Sequence, residues 1–445
     1  MRLTILLLSA LFFLLACAQS SQIEQTNTQQ PAPQNIIFMI GDGMGPSYLT
    51  AYRYYLAEGK QTEIEPTIYD ELWSGMSSTW PDDQTLVTDS AASATALATG
   101  VKSFNGAISV DQQHLPIGTM MQQAKRLGKA NGIVASSQIN HATPAAFLAH
   151  NPSRRNMDAI ADMYVDYRIN DRPVADVMLG GGSRHFIRDD RNLVNELQQL
   201  DYQYAASWDE LNKLTRAPAM ALLAEGGLPS VLNQPIEAPL QHLTSKALEL
   251  LAPSQQGFVL MVEGSQIDWC GHANDIACAM AEMHDFALAI QTAKAFVDAN
   301  PDTLLIITAD HETGGLSLGA NGVYEWRADL IYGVQHTVRE LTNRFSDVAE
   351  HDVAELWRHH TNLPLTDDQL ANIIAAQHDK DDLYWVLNQL INDATRTGWT
   401  TTGHTAADVP VLAYGVGAEQ FHGFMDNTDI AQRLMQMINA SARSQ

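Results

Sequence analysis

Basic residues are scarce in this chain of 445 residues. Lysine and arginine together number 26 against 51 aspartates and glutamates, so the formal net charge is −25. A protein that binds a nucleic-acid backbone needs a basic surface, and the charge therefore excludes nucleic acid as a structural partner. The negative net charge predicts a well-hydrated surface. Any acids that bind metal ions would have their charge neutralised by those ions.

The chain also lacks an apolar run that could comfortably span a bilayer. The stretch 3–16 is apolar but short, follows a basic start and ends at Cys17. A basic start with a short apolar segment is typical of an export signal. The residues Leu14-Leu15-Ala16-Cys17 resemble a bacterial lipobox, and an ordinary secretory signal with a chance cysteine is the alternative.

These features predict how the N-terminal part is organised. Residues 1–16 are expected to be a signal peptide, and Cys17 is expected to carry a lipid after cleavage. Residues 18–34 are polar and contain prolines, which indicates a flexible tether. We therefore expect an exported protein of the periplasm or cell envelope, with membrane contact only through the lipidated Cys17.

Cysteine is rare as well, with three residues in the whole chain. Cys270 and Cys278 are the two that remain beyond Cys17. In an oxidising compartment they could pair across a short loop, or they could be two buried thiols. Cys270 could also bind zinc, but it lies in a segment whose acids and histidine already offer enough ligands.

Apolar segments that alternate with helical patterns predict the fold. With 45% apolar residues the chain has ample material for a large core. Continuous apolar runs indicate buried strands, expected at 35–40, 132–137, 174–179, 219–223, 258–262, 303–308 and 409–414. Together with the helices between them, they predict the α/β class: a large central, mostly parallel sheet with helices on both faces.

No internal repeat is visible, and residues 35–445 are predicted to form a single catalytic domain. Within it, the segment 325–400 is polar and shows helical patterns. We interpret it as an insertion on the sheet, because it separates Asp310-His311 from Gly403-His404.

Three of the predicted strands run directly into acidic residues. Asp42 follows the first of them, Glu263 and Asp268 follow another, and Asp310 with His311 follows a third. Ligands in open α/β sheets bind outside the carboxyl ends of the strands, so these side chains should meet. Packed together without cations, the carboxylates would repel one another and take up protons. Acids and histidine suit zinc and magnesium, and the pattern predicts a two-metal site.

Two metal ions stabilise the attacking and leaving oxygens of an in-line displacement, which favours phosphoryl transfer. Ser90 begins a predicted helix, where the backbone and the helix dipole favour an oxyanion, and it is the candidate nucleophile. The alternative is that Ser90 is a plain helix cap. Arg154 and Arg155 offer a bidentate donor for phosphate oxygens, although either arginine alone could be a surface charge.

Seven segments, taken in order, resemble the motifs of the alkaline phosphatase family. They are Gly41-Asp42-Gly43-Met44-Gly45, 88–96 around Ser90, 141–146 (His141-Ala142-Thr143-Pro144-Ala145-Ala146), Ser153-Arg154, 262–268 with His272, 308–315 and Thr402-Gly403-His404-Thr405. The resemblance covers the chain from about residue 35 to the C-terminus and is weakest in 183–240 and 325–400.

The resemblance implies protein ligands for two zinc ions and one magnesium ion. The three sets are Asp268, His272 and His404 for the zinc that binds the leaving oxygen; Asp42, Asp310 and His311 for the zinc that activates Ser90; and Asp42, Thr143 and Glu263 for magnesium. It further implies that Ser90 forms a phosphoserine beside the second zinc, that Arg154 clamps the phosphate, and that Arg155 has no direct role. Small phosphomonoesters would be the substrates, and the family commonly forms homodimers.

Two positions near the substrate differ from other members of that family. His141 stands where some members carry an acid, so the magnesium site would lack one negative charge and bind its ion more weakly or bind a different ion. Trp269 stands where some members carry a lysine that could hold product phosphate through water. We predict faster phosphate release than in members that carry the lysine.

Two other functions compete with phosphomonoester hydrolysis. A phosphodiesterase or sulfatase-like relative could share the two-metal sheet, but Ser90 and Arg154 suit a terminal phosphoryl group better. A lipid-anchored protein that only binds zinc or phosphate would be expected to lack the nucleophile or one of the ligands, and every one of them is present in the sequence.

Overall fold

A ten-stranded sheet forms the centre of the molecule in the computed structural model, which describes residues 32–443 except 61 and 63. The strand order across the sheet is β16-β2-β15-β10-β1-β9-β3-β6-β8-β7. The bounds of these strands are β1 Asn35–Gly41, β2 Trp73–Ser78, β3 Ala130–Gln138, β6 Val177–Gly181, β7 Gln203–Ala205, β8 Ala219–Leu222, β9 Phe258–Gly264, β10 Thr303–Thr308, β15 Val409–Gly415 and β16 Gly423–Asp426. Three two-stranded ribbons pair β4 Arg168–Ile169 with β5 Arg172–Pro173, β11 Glu312–Thr313 with β14 His404–Thr405, and β12 Ser317–Leu318 with β13 Thr397–Gly398.

Helices lie between most of the strands. In chain order they are α1 Pro46–Leu56, α2 Ile68–Glu71, α3 Ser90–Thr99, α4 Met120–Arg126, α5 Ala142–Leu148, α6 Met157–Asp166, α7 Ser183–Phe186, α8 Leu193–Gln199, α9 Trp208–Leu211, α10 Pro239–Leu251, α11 Gln266–His272, α12 Ile276–Ala299, α13 Val338–Phe345, α14 Val353–Thr361, α15 Asp367–Ala376, α16 Lys380–Thr395 and α17 Asn427–Arg443. Short 3₁₀ helices occupy Val231–Asn233, Ala328–Gly333, Glu350–Asp352 and Ala418–Phe421. None of the helices in the described part combines the length and apolarity needed to span a bilayer.

The sheet separates two hydrophobic cores, as the predicted fold class requires. Along β1 the side chains alternate, so that Ile37 and Met39 pack into one core and Ile36 and Phe38 into the other. Helices α10 and α12 cover the first core, and α3, α4 and α17 cover the second. Because both faces are covered, β1, β9 and β10 are buried along their whole length and their sequences are almost continuously apolar. The α/β prediction is confirmed.

The direction of one predicted strand and the existence of three others were not evident from the sequence. The run at 409–414 forms β15, which is antiparallel to both of its neighbours, β10 and β2. An apolar run has the same appearance in either direction, so direction depends on the path of the chain. The strands β2, β7 and β16 were missed, because they are short or rich in small polar residues and sit at or beside the edges of the sheet.

The segment 325–400 contains α13 to α16 and packs against the loop that follows α11. Tyr384 donates a hydrogen bond to the carbonyl of Ala273 at 2.6 Å, and Asn388 donates to Ala273 and Asn274. The predicted signal peptide, Cys17 and the tether as far as residue 31 lie outside the described residues.

Candidate active site

The carboxyl ends of three neighbouring strands bring the predicted ligands together. In β1, Ile40 lies beside Thr308 of β10 on one side and Glu263 of β9 on the other. The chain then turns through Gly43 at φ +75°, and a Cβ there would come within 2.8 Å of Asp268 Cα. Glycine is therefore required for β1 to end so close to the next segment of the site.

Three predicted ligands form a buried group that we call the inner set: Asp42, Asp310 and His311. Each of these side chains is 0% exposed. His311 Nε2 lies 3.3 Å from Asp42 Oδ1 and 3.3 Å from Asp310 Oδ2. The same nitrogen lies 3.2 Å from Ser90 Oγ, so the inner set faces the predicted nucleophile.

The other predicted zinc ligands form the outer set: Asp268, His272 and His404. Asp268 Oδ1 lies 3.4 Å from His272 Nε2 and 3.5 Å from His404 Nε2, and the two nitrogens are 3.1 Å apart. The Nδ1 atoms of the two histidines lie 2.6 Å and 2.8 Å from backbone carbonyl oxygens. Because only a protonated Nδ1 can donate to those carbonyls, the proton of each neutral ring lies on Nδ1 and the lone pair on Nε2 is available for a metal ion.

The outer set is more open than the inner set. The His272 side chain is 41% exposed, that of His404 12% and that of Asp268 5%. The rings of His311 and His404 stack with their centroids 3.5 Å apart. The two sets are therefore adjacent, with one buried and one opening to solvent.

The third predicted set, for magnesium, also converges. Glu263 and Thr143 are fully buried beside Asp42. Single donor atoms of Asp42, Glu263 and His141 lie within 4.8 Å of one another. His141 was predicted to lie near the substrate and to replace an acid beside the magnesium site, and its position adds an imidazole nitrogen to the edge of this set.

The residues of all three sets fit metal ions. Several of their buried polar atoms have no hydrogen-bond partner among the described residues, namely Asp42 Oδ2, Glu263 Oε1, Thr143 Oγ1 and His141 Nδ1. Buried polar groups in proteins nearly always have a partner, and unpaired ones indicate an ion or water. Oxygen and imidazole donors of this kind suit zinc and magnesium.

The electrostatics of the buried acids indicate the same need for cations. Burial, reinforced by the charges of neighbouring acids, raises the pKa of Asp42 well above its ordinary value. Burial raises the pKa of Glu263 to about 7. Burial opposes ionisation of Asp310 too, but the charge and hydrogen bond of His311 hold the pKa of that carboxyl below its usual range. A bound cation would favour the charged form of every one of these groups.

Burial has the opposite effect on two histidines of the site. It lowers the pKa of His404 to about 4, with a contribution from the charge of His311. It also lowers the pKa of His141 to about 4, with Arg154 contributing. Both rings are therefore neutral at physiological pH, which is the form that binds a metal ion.

Ser90 is the first residue of α3, and the cap of that helix is Asp89. Asp89 Oδ1 accepts a hydrogen bond from the backbone N–H of Ala92 at 2.9 Å. The interpretation of Ser90 as a plain helix cap is therefore wrong, because the neighbouring carboxylate fills that role. Ser90 is 1% exposed and lies at the positive end of the helix dipole.

Arg154 is held beside Ser90 by two contacts. Its Nη1 donates to Asp89 Oδ2 at 3.0 Å, and its Nη2 lies 3.3 Å from His141 Nε2. Arg155 is exposed. Asp89 was not among the residues predicted for the site, although an acid directly before the nucleophile was a visible signal.

Trp269 lies at the rim of the site, between the two outer ligands of α11. Its ring meets that of His141 edge to face, with centroids 6.1 Å apart. A Cβ at Gly227 would come within 2.4 Å of this indole, so the loop around Gly227 closes over it. His141, Arg154 and Trp269 therefore form one side of the site.

Cys270 and Cys278 form a disulfide, which decides between the alternatives left by the sequence. The bond joins α11, which carries the outer ligands Asp268 and His272, to the first turn of α12. A paired sulfur does not bind zinc, so Cys270 is not a ligand.

The chain is similar to known proteins both in sequence and in structure. The family profile described as alkaline phosphatase matches residues 33–440. The chain is 41% identical over 425 residues to alkaline phosphatase 3 of Bacillus subtilis strain 168, covering 94% of this chain and 92% of that protein. It resembles the crystal structure of a cold-active alkaline phosphatase from the psychrophile Shewanella sp., with 43% identity, a TM-score of 0.86, and coverage of 91% of this chain and 99% of that one.

A third relative is the alkaline phosphatase of the Antarctic bacterium TAB5, solved as a histidine-to-glutamate variant with magnesium bound in its M3 site. It is 27% identical with a TM-score of 0.70, and the match covers 92% of this chain and 99% of that one.

Proposed function

The chain belongs to the alkaline phosphatase family and hydrolyses phosphate monoesters, and we propose that it does so through a phosphoserine on Ser90 at a site for two zinc ions and one magnesium ion. The observation that carries this proposal is the position of Ser90 Oγ, 3.2 Å from His311 Nε2 and facing the buried inner set. In the proposed arrangement the inner and outer sets each hold a zinc ion. Asp42, Thr143 and Glu263 would hold the magnesium ion.

The proposed metal ions would stabilise the attacking and leaving oxygens and provide an activated water when bound. Ser90 supplies the nucleophile. Its Oγ loses its proton and forms a bond to phosphorus, while the bond from phosphorus to the alcohol oxygen breaks and that oxygen takes up a proton to leave as the alcohol. The oxygen of a water molecule then forms a bond to phosphorus, the bond from Ser90 Oγ to phosphorus breaks, and a proton from the water restores the hydroxyl as inorganic phosphate is released.

Arg154 has the role of holding the phosphoryl group during both steps. Its guanidinium can donate two parallel hydrogen bonds to phosphate oxygens, which fixes the group in line with Ser90. Asp89 holds the guanidinium at 3.0 Å, so Arg154 needs little rearrangement when substrate arrives. His141, neutral and 3.3 Å from the same guanidinium, supports its orientation on the other side.

Magnesium is proposed for the third set because its donors include two carboxylates and a hydroxyl, the oxygen ligands that this ion prefers. The neutral His141 beside them adds no negative charge. In the TAB5 relative, magnesium was seen at the M3 site of a variant with glutamate in place of a histidine. We therefore propose that magnesium binds this chain less tightly than it would bind a His141→Glu variant.

Export and lipid attachment at Cys17 are also part of the proposal, together with a homodimeric state. The pattern of residues 1–17 supports export and the lipid, and the frequent occurrence of homodimers in the family supports the dimer. Mass spectrometry of the mature N-terminus, compared with that of a Cys17→Ala chain, tests the lipid. Sedimentation equilibrium tests the dimer.

Trapping the covalent intermediate tests the mechanism. After brief incubation with a ³²P-labelled aryl phosphate and acid quench, label should remain on the wild-type chain and be absent from Ser90→Ala. The variant should also lose roughly 10,000-fold or more in kcat. Full hydrolysis by Ser90→Ala would overturn the mechanism.

Two further measurements distinguish the alternatives. Arg154→Ala should lose activity, while the matched control Arg155→Ala, whose side chain is exposed, should not. Rates on an aryl monoester, a diester and a sulfate should favour the monoester. A preference for the diester or the sulfate would support a phosphodiesterase or sulfatase-like enzyme instead.

A further inference from the structure

Thr313 touches one predicted ligand of each zinc site. Its Oγ1 donates a hydrogen bond to Asp268 Oδ1 of the outer set at 2.5 Å. The same oxygen lies 3.1 Å from Nδ1 of His311, which belongs to the inner set. The side chain is fully buried. One hydroxyl therefore connects the two sets directly.

The hydrogen-bonding capacity of a hydroxyl fixes the direction of both bonds. A threonine hydroxyl has a single proton, and the shorter contact is to a carboxylate, which can only accept. Because the proton points at Asp268, Thr313 Oγ1 must accept from Nδ1–H of His311. In the neutral ring that can bind a metal ion, the proton of His311 then lies on Nδ1, and Nε2, the atom that faces Asp42, Asp310 and Ser90, keeps its lone pair.

The surroundings of Thr313 hold it in this position. A Cβ at Gly43 would come within 2.8 Å of Thr313 Oγ1, and a Cβ at Gly271 would come within 3.0 Å of Thr313 Cβ. The Tyr48 hydroxyl donates to the Thr313 carbonyl at 2.6 Å. The glycine turn after β1 and the helix α11 thus close on this residue from two sides.

The backbone of Thr313 connects it to a second outer ligand. In the ribbon of β11 and β14, Thr313 pairs with His404. Its N–H also donates to the carbonyl of Gly43 at 3.2 Å. Thr313 therefore contacts the segments that carry Asp42, Asp268, His311 and His404, which approach it from separate parts of the chain.

We propose that Thr313 is a positioning residue that couples the two zinc sites, because its one hydroxyl orients both Asp268 in the outer set and the ring of His311 in the inner set. The proposal rests on the proposed two-zinc site. Partners that orient metal ligands in this way typically change metal affinity by 10- to 100-fold when they are removed.

The test compares zinc release from three variants of the full chain. Thr313→Val keeps the shape and loses the hydroxyl, whereas Thr313→Ser keeps the hydroxyl. Thr244→Val is the matched control, because Thr244 is equally buried but, among the described residues, its hydroxyl donates to the carbonyl of Leu240 within α10 and to no predicted ligand. Each zinc-loaded protein is mixed with a chromogenic chelator, and the affinity and release of both zinc ions are measured.

We expect Thr313→Val to bind both zinc ions about 10-fold or more weakly, and Thr313→Ser to stay within about threefold of the wild type. Thr244→Val should match the wild type. The visible spectrum of the cobalt-substituted protein should change in Thr313→Val at both sites, which a general loss of packing would not produce.

The proposal is overturned if Thr313→Val retains both zinc ions with wild-type affinity, or if only one ion is weakened. A lower melting temperature of metal-free Thr313→Val with unchanged zinc affinity would assign the residue a structural role only. If the wild type binds two zinc ions and forms phosphoserine while Thr313→Val binds both ions with wild-type affinity, the proposed role of Thr313 fails and the proposed function stands. If the wild type binds fewer than two zinc ions, both fail.

Discussion

The inner set and the outer set use the same kinds of donors but differ in their exposure to water. Asp42, Asp310 and His311 are completely buried, while the outer set contains His272, which is 41% exposed. The inner ligands come from the ends of two adjacent strands, β1 and β10. The outer ligands come from α11 and from a ribbon strand that the chain reaches only after the 325–400 segment.

This difference matches the two roles in the proposed mechanism. The inner set faces Ser90, whose activation benefits from a dry, fixed environment because electrostatic interactions are stronger there. The outer set has to release an alcohol and admit water, which requires an opening. The inner set also holds two carboxylates that no solvent can screen, so its integrity should depend more strongly on cations.

The largest expected effect is at the inner set. Asp310→Asn removes a carboxylate charge from a site where no solvent can replace it. The loss of kcat on an aryl phosphate should exceed the roughly 100-fold that follows loss of a hydrogen-bond partner to a metal ligand. Zinc content should fall by about one ion per chain. Asp302→Asn, an exposed acid just before β10, is the control and should behave as the wild type. Near-normal activity in Asp310→Asn would remove the distinction between the sets.

The next effect is on stability and its dependence on pH. In the metal-free protein burial raises the pKa of Glu263 from 4.5 to about 7. Between these values the folded state keeps a proton that the unfolded state has released, so the unfolding free energy falls as pH rises. Glu263 should account for a fall of about 3 kcal/mol in the unfolding free energy across this pH range. Because Glu263→Gln cannot titrate, comparing its pH dependence with that of the wild type isolates this contribution.

Metal loading should abolish that difference, because a cation favours the Glu263 carboxylate. Glu282 provides the matched control, since burial raises its pKa to about 7 as well, but its partners are Ser230 and Val231. The pH-dependent difference between wild type and Glu282→Gln should persist with and without metal. Urea unfolding of the wild type and of both variants at pH 5 and pH 7, with and without metal, measures these differences. Equal responses of Glu263→Gln and Glu282→Gln to metal would contradict a cation at Glu263.

A smaller effect is expected at the outer set. His272→Ala removes an exposed imidazole whose place water can take, so kcat should fall about 10- to 100-fold. Added imidazole should restore part of the activity, because the opening admits it. The exposed His351, which is remote from the site, provides the control variant His351→Ala. Complete and unrescued inactivation by His272→Ala would indicate that the outer set is as sensitive as the inner one.

The smallest effect is expected at the rim, where Trp269 replaces a lysine found in some relatives. Trp269→Lys should bind product phosphate about 1 kcal/mol more tightly, or roughly fivefold, since an exposed charge contributes little more. The inhibition constant of inorganic phosphate, determined as a competitive inhibitor, measures this affinity. Trp385→Lys adds the same charge on α16, at a half-exposed position in the 325–400 segment, and should leave inhibition unchanged. No tightening in Trp269→Lys would contradict the predicted role of this position in phosphate release.

Much of the site could be predicted because its residues lie next to strong local patterns. Asp42, Glu263 and Asp310 end continuous apolar runs, and Ser90 begins a helix of small residues. The residues that the sequence did not reveal act through distant contacts. Thr313 looks like an ordinary residue of a ribbon, and its importance depends on Asp268, 45 positions earlier in the chain. Asp89 likewise acquires its role from Arg154, 65 positions away.

The α/β class, the strands at the centre of the sheet and the chemical types at their ends follow from local sequence patterns, because burial on both faces requires apolar runs and the ligands come directly after them. The direction of β15, the pairing of Cys270 with Cys278, and the burial of one set of ligands and exposure of the other became evident only in the folded chain. These depend on which segments meet in space. Spacing along the chain does not encode that, since the same local pattern is compatible with several paths of the backbone.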